Sequence, residues 1–256
     1  MSLQACADLV ARGDPDRFRA TMAAPLAARR VLFPLYAFNI EVSRAPWVTG
    51  EPIIAEMRLQ FWRDVIEELA AGRPPRAHEV IAPLAQAIPQ SVIGGLDRLV
   101  AARQWDIYSE AFADRAAFDT YIADTAAPLV TVAARALGAD AREDAALADA
   151  GWGFGLANFL VAIPALAAAG RVPLVDGRPQ AVADLAAEGL ARLARARAQA
   201  SGLPRLARAA LFAGFRAEAI LRAAQTDPLR VGAGTLPGAG LRGSLRLAAI
   251  AATGRW

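Results

Sequence analysis

The sequence predicts an all-α fold, and three observations lead to this prediction. Alanine and leucine, which favour helices, dominate the 256 residues, whereas the residues that favour strands are comparatively sparse. Apolar residues recur at three- and four-residue steps, as in Ile54, Met57, Phe61 and Val65. No stretch of alternating apolar and polar residues is long enough to build a sheet. We therefore predict a bundle of helices.

Short segments rich in glycine and proline divide the chain into helices of roughly 10–25 residues, an ordinary length. These breaks fall at residues 13–15, 50–52, 72–75, 89, 138, 170–179 and 201–204. No internal repeat or low-complexity linker separates the helices. We therefore expect residues 1–256 to form a single domain.

The C-terminal tail, residues 227–256, is rich in glycine and proline and is basic. Its last part places Leu241, Leu245 and Ala249 among three arginines, Arg242, Arg246 and Arg255. A short basic amphipathic segment of this kind can dock on an anionic membrane surface. The alternative is a terminal helix that packs on its own domain.

Residues 150–170 carry no charge, and their length alone would suit a membrane-spanning helix. Three glycines, Asn158 and Pro164 interrupt the run, however. A helix that is apolar on all sides is also expected in the core of a large soluble bundle. We predict that this segment is a buried core helix.

The composition also narrows the classes of function. All 28 basic residues are arginine. The net charge is only +3, and we expect no nucleic-acid partner. The single cysteine, Cys6, allows no internal disulfide bond, and the single histidine, His78, excludes a His-rich metal site. The N-terminus lacks the pattern of a secretory signal. We expect a protein that is cytoplasmic or peripheral on the inner face of a membrane, and that is not secreted.

Three motifs point to one family. They are LYAFN at residues 35–39, RLQFWRD at 58–64 and NFLVAIPALAAAGRVPL at 158–174. Together they resemble the squalene/phytoene synthase family, and the resemblance covers roughly residues 14–225. Active members of this family join two prenyl diphosphates head to head. The resemblance implies an isoprenoid-synthase-like helical bundle around a central cavity.

Members of the family carry two D-x-x-x-D motifs on helices that line the cavity, but this chain has lost both. Alignment on the first and third motifs places Ser43 and Trp47 at one aspartate pair, and Ala162 and Leu166 at the other. Mg²⁺ requires hard oxygen ligands to neutralise a departing diphosphate. We therefore expect no catalytic residue, no metal ligand and no cofactor. Mg²⁺ would be expected only if carboxylates elsewhere had taken over the role.

The motifs nevertheless supply candidates for binding. Aromatic residues could line the cavity, and arginines could face a diphosphate or a phospholipid headgroup. The alternatives are plain core packing for the aromatic residues, and a solvated helix face or an internal ion pair for the arginines. The candidate ligand-binding residues are Tyr36, Phe38, Arg44, Arg58, Phe61, Trp62, Arg63, Asn158, Phe159 and Arg171. Asp106 and Tyr121 lie in a region that matches the family more loosely.

The family has a branch without the aspartate pairs, which is similar to the respiratory complex I assembly factor. This chain resembles that branch more than the carotenoid enzymes. The resemblance implies a non-catalytic protein that binds a lipid, an isoprenoid or a partner protein and supports assembly of a respiratory complex. Two alternatives stay open at this point. One is an active prenyltransferase with relocated carboxylates, and the other is a scaffold whose cavity has collapsed.

Overall fold

The structure, a computed structural model, describes residues 2–108, 110–254 and 256. Within these residues the chain forms thirteen α-helices joined by turns and short 3₁₀ segments, and it forms no strand. The prediction of an all-α fold is therefore confirmed. The α-helices are α1 Leu3–Gly13, α2 Pro15–Ala23, α3 Leu26–Arg44, α4 Pro52–Ala70, α5 Ile81–Ala87, α6 Gln90–Ile93, α7 Asp97–Ala102, α8 Arg115–Ala136, α9 Asp144–Ala168, α10 Pro179–Gln199, α11 Ala217–Thr226, α12 Leu229–Gly232 and α13 Leu241–Thr253.

The helices begin and end where local backbone chemistry requires it. Asp14 caps α2 by accepting a hydrogen bond from the backbone N–H of Arg17 at 2.9 Å, and Pro15 occupies the first turn. Gly138 and Gly170 follow α8 and α9 with φ of 97° and 76°, a conformation that favours glycine. These predicted breaks are confirmed. The break between α2 and α3, at residues 24–25, was not predicted, and Pro25 alone marks it in the sequence.

Helix α9 is the centre of the bundle, and it packs against α8, α10 and α11. Its first half is buried, and 56% of its most apolar window lies inside the protein. By length and composition alone, residues 141–168 would also be long and apolar enough to cross a membrane. The prediction of a core helix agrees with the burial of the first half, whereas the last turns around Val161 are partly exposed.

Helices α8 and α9 approach closely because α9 has glycines at the crossing. A Cβ atom added to Gly151 would lie 2.5 Å from the Cα of Ala127, and one added to Gly155 would lie 2.6 Å from the Cβ of Ala126. Neither distance leaves room for a side chain. The glycines that interrupt the charge-free segment therefore permit contact between two backbones in the core.

We predict that Gly151→Ala lowers the melting temperature. Overpacking of a core costs about 1–3 kcal/mol, and the better helix propensity of alanine offsets at most about 1 kcal/mol. Gly232→Ala is the matched control, because a Cβ atom there meets nothing within 4 Å. Differential scanning calorimetry of the two variants compares them directly. A Gly151→Ala protein as stable as the control would show that the two helices are not packed this closely.

The C-terminal tail packs on its own domain. Helix α13 contacts α2 and the 3₁₀ segment Ala207–Gly214, and it buries Leu247 and Ile250. Arg246 forms an ion pair with Glu218 at 2.9 Å, so its charge is partly neutralised within the protein. The second of the two alternatives for the tail is therefore the one observed. Leu241, Leu245 and Arg242 remain exposed, and Arg255 lies outside the described residues.

Candidate functional site

A cavity of about 620 Å³ opens in the middle of the bundle. Its walls come from α3, α8 and α9, and the start of α2 and the 3₁₀ segment Arg103–Asp106 close it. The volume lies within the range of roughly 300–1,000 Å³ that is usual for small-molecule sites. The lining residues are Asp14, Arg17, Tyr36, Asn39, Ser43, Trp47, Arg103, Asp106, Tyr121, Ile122, Thr125, Ala126, Leu129, Val130, Phe154, Gly155, Asn158, Phe159, Ala162, Ala165, Leu166, Ala169 and Ala213.

Helical spacing brings all four of the altered motif positions to this cavity. Ser43 and Trp47 line it from the end of α3 and the turn that follows, and Ala162 and Leu166 line it from α9. Within α9, residues four apart lie on the same face, so Asn158 shares that face with these two positions. The alignment of the motifs therefore agrees with the geometry of the cavity.

The side chains at these four positions do not fit a magnesium ion. The hydroxyl of Ser43 donates a hydrogen bond to the carbonyl of Ile40 at 3.1 Å. The indole of Trp47 lies under the guanidinium of Arg171, which is 4.7 Å from its ring centre. Ala162 and Leu166 are hydrocarbon. None of the four supplies the carboxylate oxygen that Mg²⁺ prefers.

Two carboxylates do line the cavity, and both are held by arginine. Asp14 pairs with Arg17 at 2.9 Å. Asp106 is buried; it pairs with Arg103 at 3.1 Å and accepts a hydrogen bond from the hydroxyl of Tyr121 at 2.8 Å. Among the described residues, no group of three or more histidine, cysteine, aspartate or glutamate side chains is placed to share a metal ion. The charges that line the cavity therefore form two neutral pairs.

The two tyrosines of the cavity are un-ionised over the physiological pH range. Burial raises the pKa of Tyr36 to about 12, although the nearby Arg17 opposes part of this shift. Burial also raises the pKa of Tyr121, and the charge of Arg103 again opposes it. Both phenols therefore act as neutral hydrogen-bond donors. The hydroxyl of Tyr36 makes no hydrogen bond to another described residue.

Two asparagines contribute polar groups that have no partner. Asn39 is only 4% exposed, and its Oδ1 atom accepts no hydrogen bond from any described residue. Asn158 faces the open part of the cavity, and its side chain makes no hydrogen bond within the described chain. Asn158 is exposed, because it points into the cavity and not at the opposing helix.

The structure brings only three of the ten candidate binding residues to the cavity: Tyr36, Asn158 and Phe159. Phe38 instead lies in the core, with its ring edge-to-face with Trp62 at 5.3 Å. It points away because it is two residues from Tyr36, which is about 200° around a helix. Phe38 therefore follows the alternative of plain core packing.

Four further candidates line a separate groove of about 630 Å³ on the other side of α3. Val48, Ile54, Met57 and His78 also border this groove. The candidates there are Arg44, Arg58, Phe61 and Trp62. They could meet a ligand only at this outer surface and not in the central cavity.

Arg63 and Arg171 both bind groups of the protein itself, Arg63 near the surface and Arg171 in the interior. Arg63 forms a two-bond pair with Asp97, at 2.8 and 3.1 Å, which ties α4 to α7. Arg171 is 8% exposed and donates hydrogen bonds to the carbonyls of Trp105, Asp106 and Tyr108. Neither guanidinium is free for a headgroup. For Arg63 the predicted alternative of an internal ion pair holds, with Asp97 as the partner.

Sequence reasoning missed several lining residues, among them Asp14, Arg17, Asn39, Arg103 and Thr125. Asp14 and Arg17 belong to a helix start, where capping explains the aspartate without a functional role. Arg103 comes from a short 3₁₀ segment that has no periodic pattern. The loosely matched Asp106 and Tyr121 do come together at the cavity, although they are 15 positions apart in the sequence.

Comparison with known proteins finds a family match and relatives of this chain. The family description "Squalene/phytoene synthase" matches residues 10–241. The NADH dehydrogenase (ubiquinone) complex I assembly factor 6 homologue of Drosophila melanogaster is 32% identical over 169 residues, which cover 62% of this chain and 50% of that protein. Assembly factor 6 of Rattus norvegicus is 26% identical over 163 residues, covering 62% and 48%. The match thus spans about half the length of these relatives.

Solved structures share the fold over nearly the whole chain. The squalene synthase HpnC from Alicyclobacillus acidocaldarius aligns with a TM-score of 0.69 and 17% identity, covering 92% of this chain and 95% of its own. A dehydrosqualene synthase in complex with a ligand aligns with a TM-score of 0.71 and 11% identity, covering 98% and 95%. At these identities the comparison shows the fold alone. The predicted isoprenoid-synthase-like bundle around a central cavity is confirmed.

Proposed function

This chain belongs to the squalene/phytoene synthase family, and from that premise we propose that it is a non-catalytic member that binds an isoprenoid or another lipid in its central cavity. One observation carries the proposal. All four positions of the aspartate pairs border the cavity, and none bears a carboxylate. The cavity is present, but these residues do not supply the carboxylates that would hold Mg²⁺ beside a departing diphosphate.

The proposal excludes prenyl transfer on chemical grounds. Departure of a diphosphate places several negative charges on the leaving oxygens, which must be neutralised as the bond breaks. The cationic side chains in the cavity, Arg17 and Arg103, are each paired with an aspartate. The same pairing opposes the alternative of relocated carboxylates, because Asp14 and Asp106 already accept charged hydrogen bonds.

The open cavity also argues against a collapsed scaffold. Its volume of about 620 Å³ is bordered by Ile122, Leu129, Val130, Phe154 and Phe159, side chains suited to a hydrocarbon chain. A cavity lined in this way is stabilised when apolar ligand atoms replace the missing contacts. We therefore favour a protein that carries a lipid over one that only fills space.

We propose further that the protein supports assembly of a respiratory complex, because relatives matching 62% of the chain are named complex I assembly factors. It would act inside the cell, with peripheral contact to the inner face of a membrane. The outer groove, where Arg44 and Arg58 outnumber the one acidic residue Glu41 and lie beside apolar side chains, supports contact with a phospholipid or a partner protein. Binding at that groove should weaken as salt is raised, since exposed charges are screened.

The direct test of the cavity is extraction of lipid from the purified, folded protein, followed by mass spectrometry. We expect a lipid at about one equivalent. Ala162→Phe, which fills the cavity, should reduce that yield several-fold, whereas Ala167→Phe on the exposed side of α9 should not. The proposal fails if the wild-type protein carries no lipid and takes up none from vesicles.

We propose also that the protein has no specific magnesium site. A site with Kd of about 0.1 mM would stabilise the native state by about 2.7 kcal/mol at about 10 mM Mg²⁺. For a chain of this size that corresponds to a rise in Tm of about 5 °C or more. We expect a shift below about 1 °C. Thermal unfolding in MgCl₂ against NaCl of equal ionic strength measures it, and a large Mg²⁺-specific rise would count against the proposal.

A further inference from the structure

We propose that the lipid bound in the central cavity is uncharged and that it places a hydroxyl group against Asn39. This inference rests on the proposed function, because it specifies the chemistry of the ligand in the same cavity. An uncharged ligand of this kind differs from an anionic prenyl diphosphate, which would require positive charge in the cavity to balance its own. The ligand class is therefore a long-chain alcohol or a comparable neutral lipid with a hydrogen-bonding head.

The first step of the argument is charge. Arg17 and Arg103 are paired with Asp14 and Asp106, at 2.9 and 3.1 Å. Arg216, which borders a small side pocket shared with Asp14 and Arg17, is paired with Asp16 and donates to the carbonyl of Pro237. An anionic headgroup at Arg17 or Arg103 would lie beside a carboxylate, and the two negative charges would repel each other. The cavity therefore offers an anion no unpaired cation among its described residues.

The second step is the set of polar groups left without partners. Asn39 is buried with an unsatisfied Oδ1 atom, and the buried Tyr36 has no hydrogen-bond partner for its hydroxyl in the described chain, whereas Asn158 is exposed in the open part of the cavity. A buried polar group without a partner lowers the stability of the protein, and a ligand that supplies the partner removes that cost. All three groups are uncharged. Arg103 also has a buried Nε atom without a hydrogen-bond partner, but the charge of its guanidinium is balanced by Asp106.

The third step is the match between an amide and a hydroxyl. A carboxamide carries one acceptor oxygen and two donor hydrogens, and a hydroxyl both donates and accepts. Tyr36 lies one helical turn before Asn39, so its phenol faces the same cavity. The Oδ1 atom of Asn39 has almost no exposed surface, so the amide would turn to receive the ligand, and a single hydroxyl would then donate to that oxygen and accept from a neighbouring donor. The remaining wall, largely aliphatic and aromatic, suits the hydrocarbon part.

The test compares geranylgeraniol with geranylgeranyl diphosphate, each titrated with and without Mg²⁺ into the full-length protein after delipidation. Isothermal titration calorimetry gives both affinities. We expect the alcohol to bind at least about 10-fold more tightly than the diphosphate. Asn39→Leu should weaken alcohol binding about 3- to 10-fold, the loss of one hydrogen bond. Gln199→Leu, the same chemical change at an exposed position on α10, should leave the affinity unchanged.

Stability distinguishes a binding role from a structural one. Asn39→Leu removes an unsatisfied buried amide, so we expect the ligand-free variant to melt at or above the temperature of the wild type. A marked loss of stability, or unchanged alcohol binding by the variant, would overturn the assignment to Asn39. Equal or tighter binding of the diphosphate would overturn the inference while lipid binding stands. Binding of neither probe, with no lipid recovered from the purified protein, would remove the proposed function as well.

Discussion

Replacing Arg171 by alanine is expected to destabilise the protein by about 3–5 kcal/mol, the largest effect of any single arginine. Arg171 is buried and donates hydrogen bonds to three backbone carbonyls of one segment, those of Trp105, Asp106 and Tyr108. Its guanidinium also lies over the indole of Trp47 at 4.7 Å. The alanine variant leaves three carbonyls without their donor and one aromatic face without its cation.

Urea unfolding followed by circular dichroism measures this loss. Arg178→Ala serves as the control, since Arg178 pairs with Asp176 at an exposed site where an ion pair contributes little. Arg171→Lys should recover only part of the stability, because a lysine keeps the charge but not the planar set of donors. If Arg171→Ala unfolds at the urea concentration of the control, then Arg171 does not join the two segments as described.

Asp106→Ala is the second large effect, with an expected loss of about 3–5 kcal/mol. Asp106 is 3% exposed and is the shared partner of Arg103 and Tyr121. Its removal leaves the charge of Arg103, whose side chain is mostly buried, without a counter-ion. The unpaired charge, more than the lost attraction, accounts for the cost.

A double-mutant cycle separates these contributions. Replacing both members of the pair, as Arg103→Met with Asp106→Ala, should cost much less than the sum of the two single losses, because no charge is left unpaired. The free energies of unfolding of the single and double variants give the coupling energy. Additive losses would indicate that Arg103 and Asp106 do not interact, and the neutral charge balance of the cavity would then lose its basis.

The helical architecture could be predicted because its signals are local. Proline fixes φ, and glycine adopts the positive φ that other residues avoid, so the ends of α1, α8 and α9 follow from the sequence. The four-residue spacing of Ala162 and Leu166 likewise places both on one face of a helix. Spacing alone does not show that this face meets a cavity; the resemblance to the family, whose motifs line one, predicted that.

The partners of the polar side chains could not be predicted in the same way. Arg171 reaches carbonyls more than 60 positions away in the sequence, and its motif gives no indication of them. Arg44, Arg58, Phe61 and Trp62 carry the same kind of motif signal as Tyr36, but α3 and α4 turn them to an outer groove. Which face of a helix meets a cavity depends on packing with distant helices, which periodicity alone does not specify.

Asn39 is the clearest example of a site residue that the sequence alone does not identify. In the sequence it is one polar residue in an apolar run, and core packing or a hydrogen bond to a neighbouring helix would explain it equally well. Only the three-dimensional structure shows that its amide has no partner and borders a cavity. The chemistry expected of the ligand comes from that isolation and from the pairing of the nearby charges.

The central claim is that the fold of a prenyl-transferring family is retained here without its metal-dependent chemistry. Its most direct test is release of inorganic diphosphate from farnesyl or geranylgeranyl diphosphate in the presence of Mg²⁺, with an active squalene synthase assayed in parallel. We predict no release above the protein-free background at any Mg²⁺ concentration. Saturable, Mg²⁺-dependent release at turnover rates of about 1 s⁻¹, within the usual range for enzymes, would contradict the account.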